Sequence, residues 1–204
     1  MRYDKGRKDQ SRSRILEVAA TQFREGGIAA SGLAGIMNGA GLTNGAFYPH
    51  FPSKDDLVRE SVSSAMDQQS NRLAKLIAEG GLPAMIKGYL SPWHRDNPGR
   101  GCALAALSPE LARQSLETRR VFAERLSETV RLIADALPPG TRHREETASG
   151  LMATLMGALQ LARTVQGTDL SDRVLADGVT SALALAGLSS GSKRKPASPR
   201  PRNS

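Results

Sequence analysis

Cysteine is almost missing from this chain. A single residue, Cys102, excludes an internal disulfide framework and leaves no cysteine cluster for a structural zinc. Histidine is nearly as scarce, with His50, His94 and His143 alone, and none stands in an H-E-x-x-H pattern. G-x-S-x-G and the glycine-rich phosphate loop are absent too, so neither metal, cofactor nor catalytic residues are expected, and an enzyme is disfavoured. Long apolar runs are lacking as well. The longest, near Leu151 to Val165, is broken by Thr154, Gln160 and Arg163, which argues against a membrane span. The charged N-terminus has no apolar core of a signal peptide, and a reducing, cytoplasmic setting is expected. Aromatics make up only 4% against 39% hydrophobic residues, a composition suited to packed amphipathic helices.

Positive charge is in surplus. The net charge is +8, but Lys193, Arg194, Lys195, Arg200 and Arg202 fall in a terminal stretch with no acid, leaving +3 for the body. A basic balance would help a phosphate-contacting surface without establishing one. Residues 189–204, rich in Ser, Gly, Pro and Arg, read as a disordered basic tail. Residues 1–10 read as a loose basic arm, either merely solvated or able to track phosphates around a duplex.

Between these ends the apolar spacing is helical throughout. A first helix is expected from Ser11 to Glu25, with Ile15, Ala19 and Phe23 in one row and Gly26-Gly27 as its stop. A second runs from Ser31, as N-cap, to Gly39 or Ala40. After Gly41 and Leu42, a short third begins at Thr43, whose hydroxyl can cap it, and ends by Pro49. Ser53-Lys54-Asp55-Asp56 matches a capping box that opens a long helix to Gly80-Gly81. Further helices are expected at Leu82–Leu90, Cys102–Leu107 with a break or kink at Ser108, Leu116–Leu137, Arg142–Gln166 and Ser171–Leu188. The resulting fold class is all-α: an N-terminal helix-turn-helix domain over 11–52 and a C-terminal helical domain over 53–188.

The pair of short helices around Gly41 has the spacing of a helix-turn-helix. Side chains at the start of so short a second helix would meet the bases. Asn44 can pair bidentately with adenine, Gly45 lets backbone approach a phosphate, and Thr43 and Tyr48 can donate hydroxyls to phosphate oxygens. His50 and Lys54 add donors nearby, Lys54 at a helix N-terminus where anions are favoured.

The run Ala40-Gly41-Leu42-Thr43-Asn44-Gly45-Ala46-Phe47-Tyr48, followed by His50-Phe51, Lys54 and Leu57, resembles the DNA-binding signature of the tetracycline-repressor (TetR) family. The similarity covers about residues 11 to 60. It implies DNA contact at Thr43, Asn44, Gly45, Ala46, Tyr48, His50 and Lys54, and implies that Phe47 and Phe51 are core; Ser31, first of all an N-cap, is a further DNA-contact candidate. Pro49 departs from the aromatic or polar residue common there and removes one potential contact. Residues Pro92 to Leu111 look similar to an effector-domain subgroup with a G-C-x-x-x-x-L-S-P-E run, whose ligands the resemblance does not fix.

A pocket between helices needs adaptable apolar walls and a few polar anchors. Met85, Tyr89, Leu107, Phe122, Met152 and Met156 are candidates for the walls. Trp93, His94, Cys102 and Gln160 are candidates for the anchors, with Trp93 and Gln160 preferred. Cys102 would be an oxidant or electrophile sensor if Arg100 or a helix N-terminus lowered its pKa, and a small buried hydrophobe otherwise. The last two helices are apolar all round, and in a chain this short the second buried side is most simply a copy of itself, through Leu151, Leu155, Leu159, Val174, Val179 and Leu183. The expectation is a homodimeric regulator of transcription, released from a palindromic operator by a small-molecule effector. An architectural DNA-binding protein without an effector is the alternative.

Overall fold

The computed structural model describes residues 2–188, so the terminal tail expected at 189–204 lies outside the described residues. Within them the secondary structure is helical throughout. In chain order the α-helices are α1 (Arg2–Gly26), α2 (Leu33–Gly39), α3 (Lys54–Tyr89), α4 (Pro92–Asp96), α5 (Ala103–Leu111), α6 (Leu116–Ala136), α7 (Arg144–Thr164) and α8 (Asp169–Leu185). Single 3₁₀ turns lie at Asn44–Ala46 and Pro98–Arg100.

The first helix starts nine residues before the expected Ser11, at Arg2. Arg, Lys and Gln are good helix formers, and no proline intervenes, so a helix already nucleated by packing propagates through the arm. Ile15, Ala19 and Phe23 are fully buried, as the row predicts. Gly27, at φ +89°, supplies the left-handed end, and its amide donates to Phe23 O at 2.8 Å.

The chain departs from two local expectations. Ser31 is not the cap of α2: Gly32 occupies that position, while the Ser31 hydroxyl turns back to donate to Gly27 O at 2.7 Å. Nor does the chain break at Ser108, because α5 runs through Pro109 to Leu111. The reason is visible on the neighbouring helix. Proline has no N–H for the carbonyl four residues back, Ala105, and the Gln160 side-chain amide of α7 donates to that carbonyl instead.

The long α3 opens on the predicted Ser53 cap, whose hydroxyl accepts from Asp56 N at 3.1 Å while donating to the Asp56 carboxylate at 2.7 Å. It is interrupted where expected. Gly80 (φ −157°, ψ 23°) and Gly81 (φ 67°, ψ −167°) leave helical geometry, the second in a region that essentially only glycine visits. The second limb folds back, and a methyl on Gly88 would come within 2.9 Å of Leu76 on the first. Helices α7 and α8 pack so closely that a methyl on Gly178 would lie 2.6 Å from Ala158 Cβ. One hydrophobic core runs from the N-terminal helices through α3 and α5 to α7.

Candidate nucleic-acid interface

Helix α2 ends in a two-bond turn that sets the angle of everything after it. Gly41, at φ +68°, donates to Asn38 O at 2.9 Å, and Leu42 donates to Met37 O at 2.9 Å. This is the paired 5→2 and 6→1 pattern of a Schellman cap, and its left-handed residue favours glycine. Thr43 then takes extended backbone, and Asn44–Ala46 form a single 3₁₀ turn in place of the one to two helical turns expected. Pro49 cannot donate backward, and the chain needs both Phe47 and Phe51 inside, so the segment winds through turns instead of lengthening.

Those two phenylalanines form the base of the motif. Both are buried, with ring centroids 5.8 Å apart in a stacked arrangement, and the Arg12 guanidinium covers the Phe51 ring at 4.7 Å. The residues around them are mostly turned outward, except that His50 Nδ1 is buried with no hydrogen-bond partner among the described residues. Thr43, Asn44, Gly45 and Pro49 are exposed, Ala46 and His50 are half-buried, and Tyr48 is 69% exposed while packing edge-on against Phe47 at 5.3 Å. The Thr43 hydroxyl makes no cap hydrogen bond, contrary to expectation, and is left facing outward as a donor. Arg7, Lys8 and Arg14 are exposed on the N-terminal half of α1. Burial lowers the pKa of His50, and the nearby Lys8 and Arg12 lower it further, so this ring is neutral at pH 7.

Two of the predicted contact residues are engaged within the chain. Ser31 is buried on the Gly27 carbonyl, and the Lys54 ammonium donates to Ile28 O at 3.1 Å, keeping two of its three donors. Lys54 thus ties the start of α3 to the loop between α1 and α2.

That loop is also held from the other side. The Glu110 carboxylate, from α5, accepts from Ile28 N at 2.8 Å and Ala29 N at 3.0 Å. A methyl on Gly27 would fall 2.6 Å from the same carboxylate. Arg24, at the end of α1, donates through Nε to Gly99 O at 2.7 Å. None of these links is legible in the sequence, because partners 75 to 82 residues apart leave no periodic trace. The glycine pair before Ile28 and the acid beside Pro109 were the available signals.

Behind Gly99 sits a buried histidine. His94 Nδ1 lies 2.6 Å from Tyr89 O, and Nε2 accepts from Cys102 N at 2.9 Å, which fixes the neutral tautomer with the proton on Nδ1. Burial lowers its pKa to about 4, outweighing the bond to the Tyr89 carbonyl, and Arg163 and Arg72 act in the same direction as burial. Gly101 is required beside it, since a methyl there would meet the ring at 2.8 Å. Cys102 is buried and its thiol pKa is raised, chiefly by burial. The low-pKa condition on which a sensor cysteine depended is therefore contradicted.

Of the ten residues expected around a ligand, the structure brings Tyr89, Trp93 and His94 together along a cavity of about 210 Å³. Met85, Cys102, Leu107 and Met152 are buried in the core, and Phe122 and Met156 pack partly buried against it. Gln160 is committed to Ala105 O. Gln69, Arg72, Leu73 and Leu76, all on one face of α3, complete the cavity and were not singled out by sequence. A larger concavity, about 1160 Å³, is an open trough between α6 and α7 and contains none of the ten. For the dimer, Leu151, Leu155 and Leu159 are 0% exposed within the single chain, so they pack its own core and not a second copy. Val174, Val179 and Leu183 are half-buried, whereas Leu161, Leu170 and Leu185 are the exposed leucines of α7 and α8. No described helix is long and apolar enough to cross a membrane.

Residues 15–61 match the family model described as bacterial regulatory proteins, tetR family. The chain is 32% identical over 77 residues to the HTH-type transcriptional repressor KstR2 of Rhodococcus jostii, a match covering 38% of each chain. It is 37% identical over 62 residues to KstR2 of Mycobacterium tuberculosis, covering 30% of this chain and 31% of that one. The matched stretch thus spans well under half of those relatives. Across nearly the whole length the fold is similar to that of E. coli NemR in its reduced form, with a TM-score of 0.71, 20% identity and coverage of 86% and 96%. A TetR-family regulator from Agrobacterium tumefaciens gives a TM-score of 0.62 at 25% identity, covering 84% and 97%. Signature, outward-facing turn and relatives agree over the N-terminal segment: residues 15–61 carry the module that marks bacterial regulatory proteins of the tetR family.

Proposed function

We propose that this protein is a homodimeric repressor of transcription whose two 3₁₀ turns at Asn44–Ala46 enter successive major grooves of a palindromic operator. The carrying observation is the segment Thr43–Pro49, which presents Thr43, Asn44, Gly45 and Tyr48 to solvent over a buried Phe47–Phe51 base. Half-site centres should stand about 34 to 36 Å apart, one turn of the duplex. Residues 11–52 serve as the DNA-binding unit and 53–188 as the effector-binding and dimerisation unit. Asn44 reads a base edge, while Thr43, Tyr48 and the free donors of Lys54 hold phosphates.

An effector in the second unit acts on the first through α3 and through the Glu110 and Arg24 links to the α1–α2 loop and its neighbour. A preference of about 1.4 kcal/mol for the non-binding arrangement releases DNA tenfold. Selecting bound genomic fragments with the purified protein tests the reading. A repressor recovers one palindromic site and keeps a large preference for it as salt rises. An architectural protein recovers no common site and loses all fragments together, and that result would reject the proposal.

A further inference from the structure

We propose that the cleft between α1 and α3 binds a small organic carboxylate carrying a compact ring, with the carboxylate on Arg24, Arg72 and Arg100 and the ring beneath Trp93. The inference rests on the effector-responsive reading above and adds the chemical class of the effector. Two cavities meet there. One, about 490 Å³, is lined by Arg24, Arg72 and Arg100 with Glu17 at its edge; the other is the 210 Å³ chamber. They share Arg72 and Trp93.

The polar half has cations outside any ion pair, with the Glu17 carboxylate on the same wall and Glu25 acting on Arg24 from beyond salt-bridge distance. Among the described residues none of the three arginines lies within 4 Å of a carboxylate. Arg24 is 91% buried and spends only Nε, on Gly99 O; Arg72 spends one nitrogen, on Arg100 O at 2.8 Å. Both guanidiniums are therefore anchored on one turn, with their remaining donors uncommitted. An anion placed between them would relieve the mutual repulsion of Arg24 and Arg72, and guanidinium forks suit a carboxylate.

The apolar half has the shape of a ring slot with one polar handle. Leu73, Leu76 and the faces of Tyr89 and Trp93 line it. Both nitrogens of His94 are already occupied, so that ring offers only carbon surface. Gln69 is 94% buried against this chamber, and its amide forms no hydrogen bond among the described residues. A ligand oxygen on the ring would satisfy it. Trp93 bridges the two halves, half-exposed, with the Arg72 guanidinium 5.6 Å from its ring centroid.

Because Arg24 belongs to α1 and Arg72 to α3, such a ligand would bridge the DNA-binding unit and the body. Trp93 is the sole tryptophan, so its fluorescence reports on this cleft alone. Titration of the full chain with phenylacetate, 4-hydroxyphenylacetate, phenylacetamide and inorganic phosphate is the test. Both acids should quench Trp93 saturably, with the hydroxylated acid the tighter, whereas the amide and phosphate should bind about tenfold more weakly or not at all. Arg72→Met and Arg100→Met, both at exposed positions, should each weaken the acids about tenfold without changing the melting temperature, and Gln69→Leu should erase the advantage of the hydroxyl. Amide binding as tight as the acids, unchanged affinity in both arginine variants, or no saturable quenching by either acid at millimolar concentration would overturn the inference. Quenching does not require DNA. Failure here with an intact operator preference would reject this ligand class and leave the repressor reading standing; quenching without any operator preference would do the reverse.

Discussion

His94 shows what one side chain can impose on its surroundings. Its two nitrogens join Tyr89 O to Cys102 N, and it can do so only as the neutral tautomer. With a folded pKa of about 4 against an unfolded value near 6.5, the unfolded chain binds more protons throughout that interval. The stability tied to the neutral ring is therefore complete above pH 6.5 and is lost as pH falls toward 4. The loss is on the order of 3 kcal/mol for this residue, and His50, also depressed, adds in the same direction. Urea midpoints at pH 7.5 and 4.5 should differ accordingly, and the difference should shrink in His94→Gln. An equal shift in that variant would assign the acid sensitivity elsewhere. Residue-scale reading of the sequence was good where a side chain acts locally, as at Ser53, Phe47 and Phe51. It failed where the partner is remote: nothing near Gln160 in sequence says that Pro109 has freed a carbonyl for it.

At the scale of elements, the segment Thr43–Pro49 is short because two prolines and two buried phenylalanines constrain it, and its flanks are pinned. Lys54 and Glu110 grip opposite polarities of the same loop, one donating to Ile28 O and the other accepting from Ile28 N and Ala29 N. Glu110→Gln keeps an acceptor but loses its charge. It should cost about 1 kcal/mol of stability, with hydrogen exchange of the Ile28 and Ala29 amides accelerated more than that of the α7 core. Unchanged exchange at those two amides would show that the carboxylate does not order the loop. Helix positions and stops were legible from apolar period, glycine pairs and caps. Helix ends were less so: α1 extends to Arg2 because cooperativity carries a packed helix outward through any tolerant sequence.

For the whole molecule, the apolar surface left over from the core marks where a second copy would pack. Leu151, Leu155 and Leu159 fill the protomer's core, and the surplus lies along Ala153, Gly157 and Leu161 on α7 and at Leu170 and Leu185 on α8. The sequence pattern marked α7 as apolar all round but not which side its own chain takes, since that depends on where α5 and α8 fall. If α7 and α8 form the two-fold interface, Leu161→Glu should yield monomers by sedimentation velocity with little loss of helicity, whereas Leu155→Ala should cost about 2 to 5 kcal/mol of stability. A Leu161→Glu protein that sediments as a dimer would move the interface elsewhere.

The central claim concerns Thr43 to Pro49, and it is tested most directly by fluorescence anisotropy on a selected genomic fragment with the wild-type chain, Asn44→Ala and Tyr48→Ala. Both substitutions are at exposed positions and should leave the melting temperature unchanged. Asn44→Ala should cost about 1 to 3 kcal/mol and relax preference at one base position, and Tyr48→Ala should weaken binding on every fragment alike. Wild-type affinity and selectivity in both variants would contradict the account.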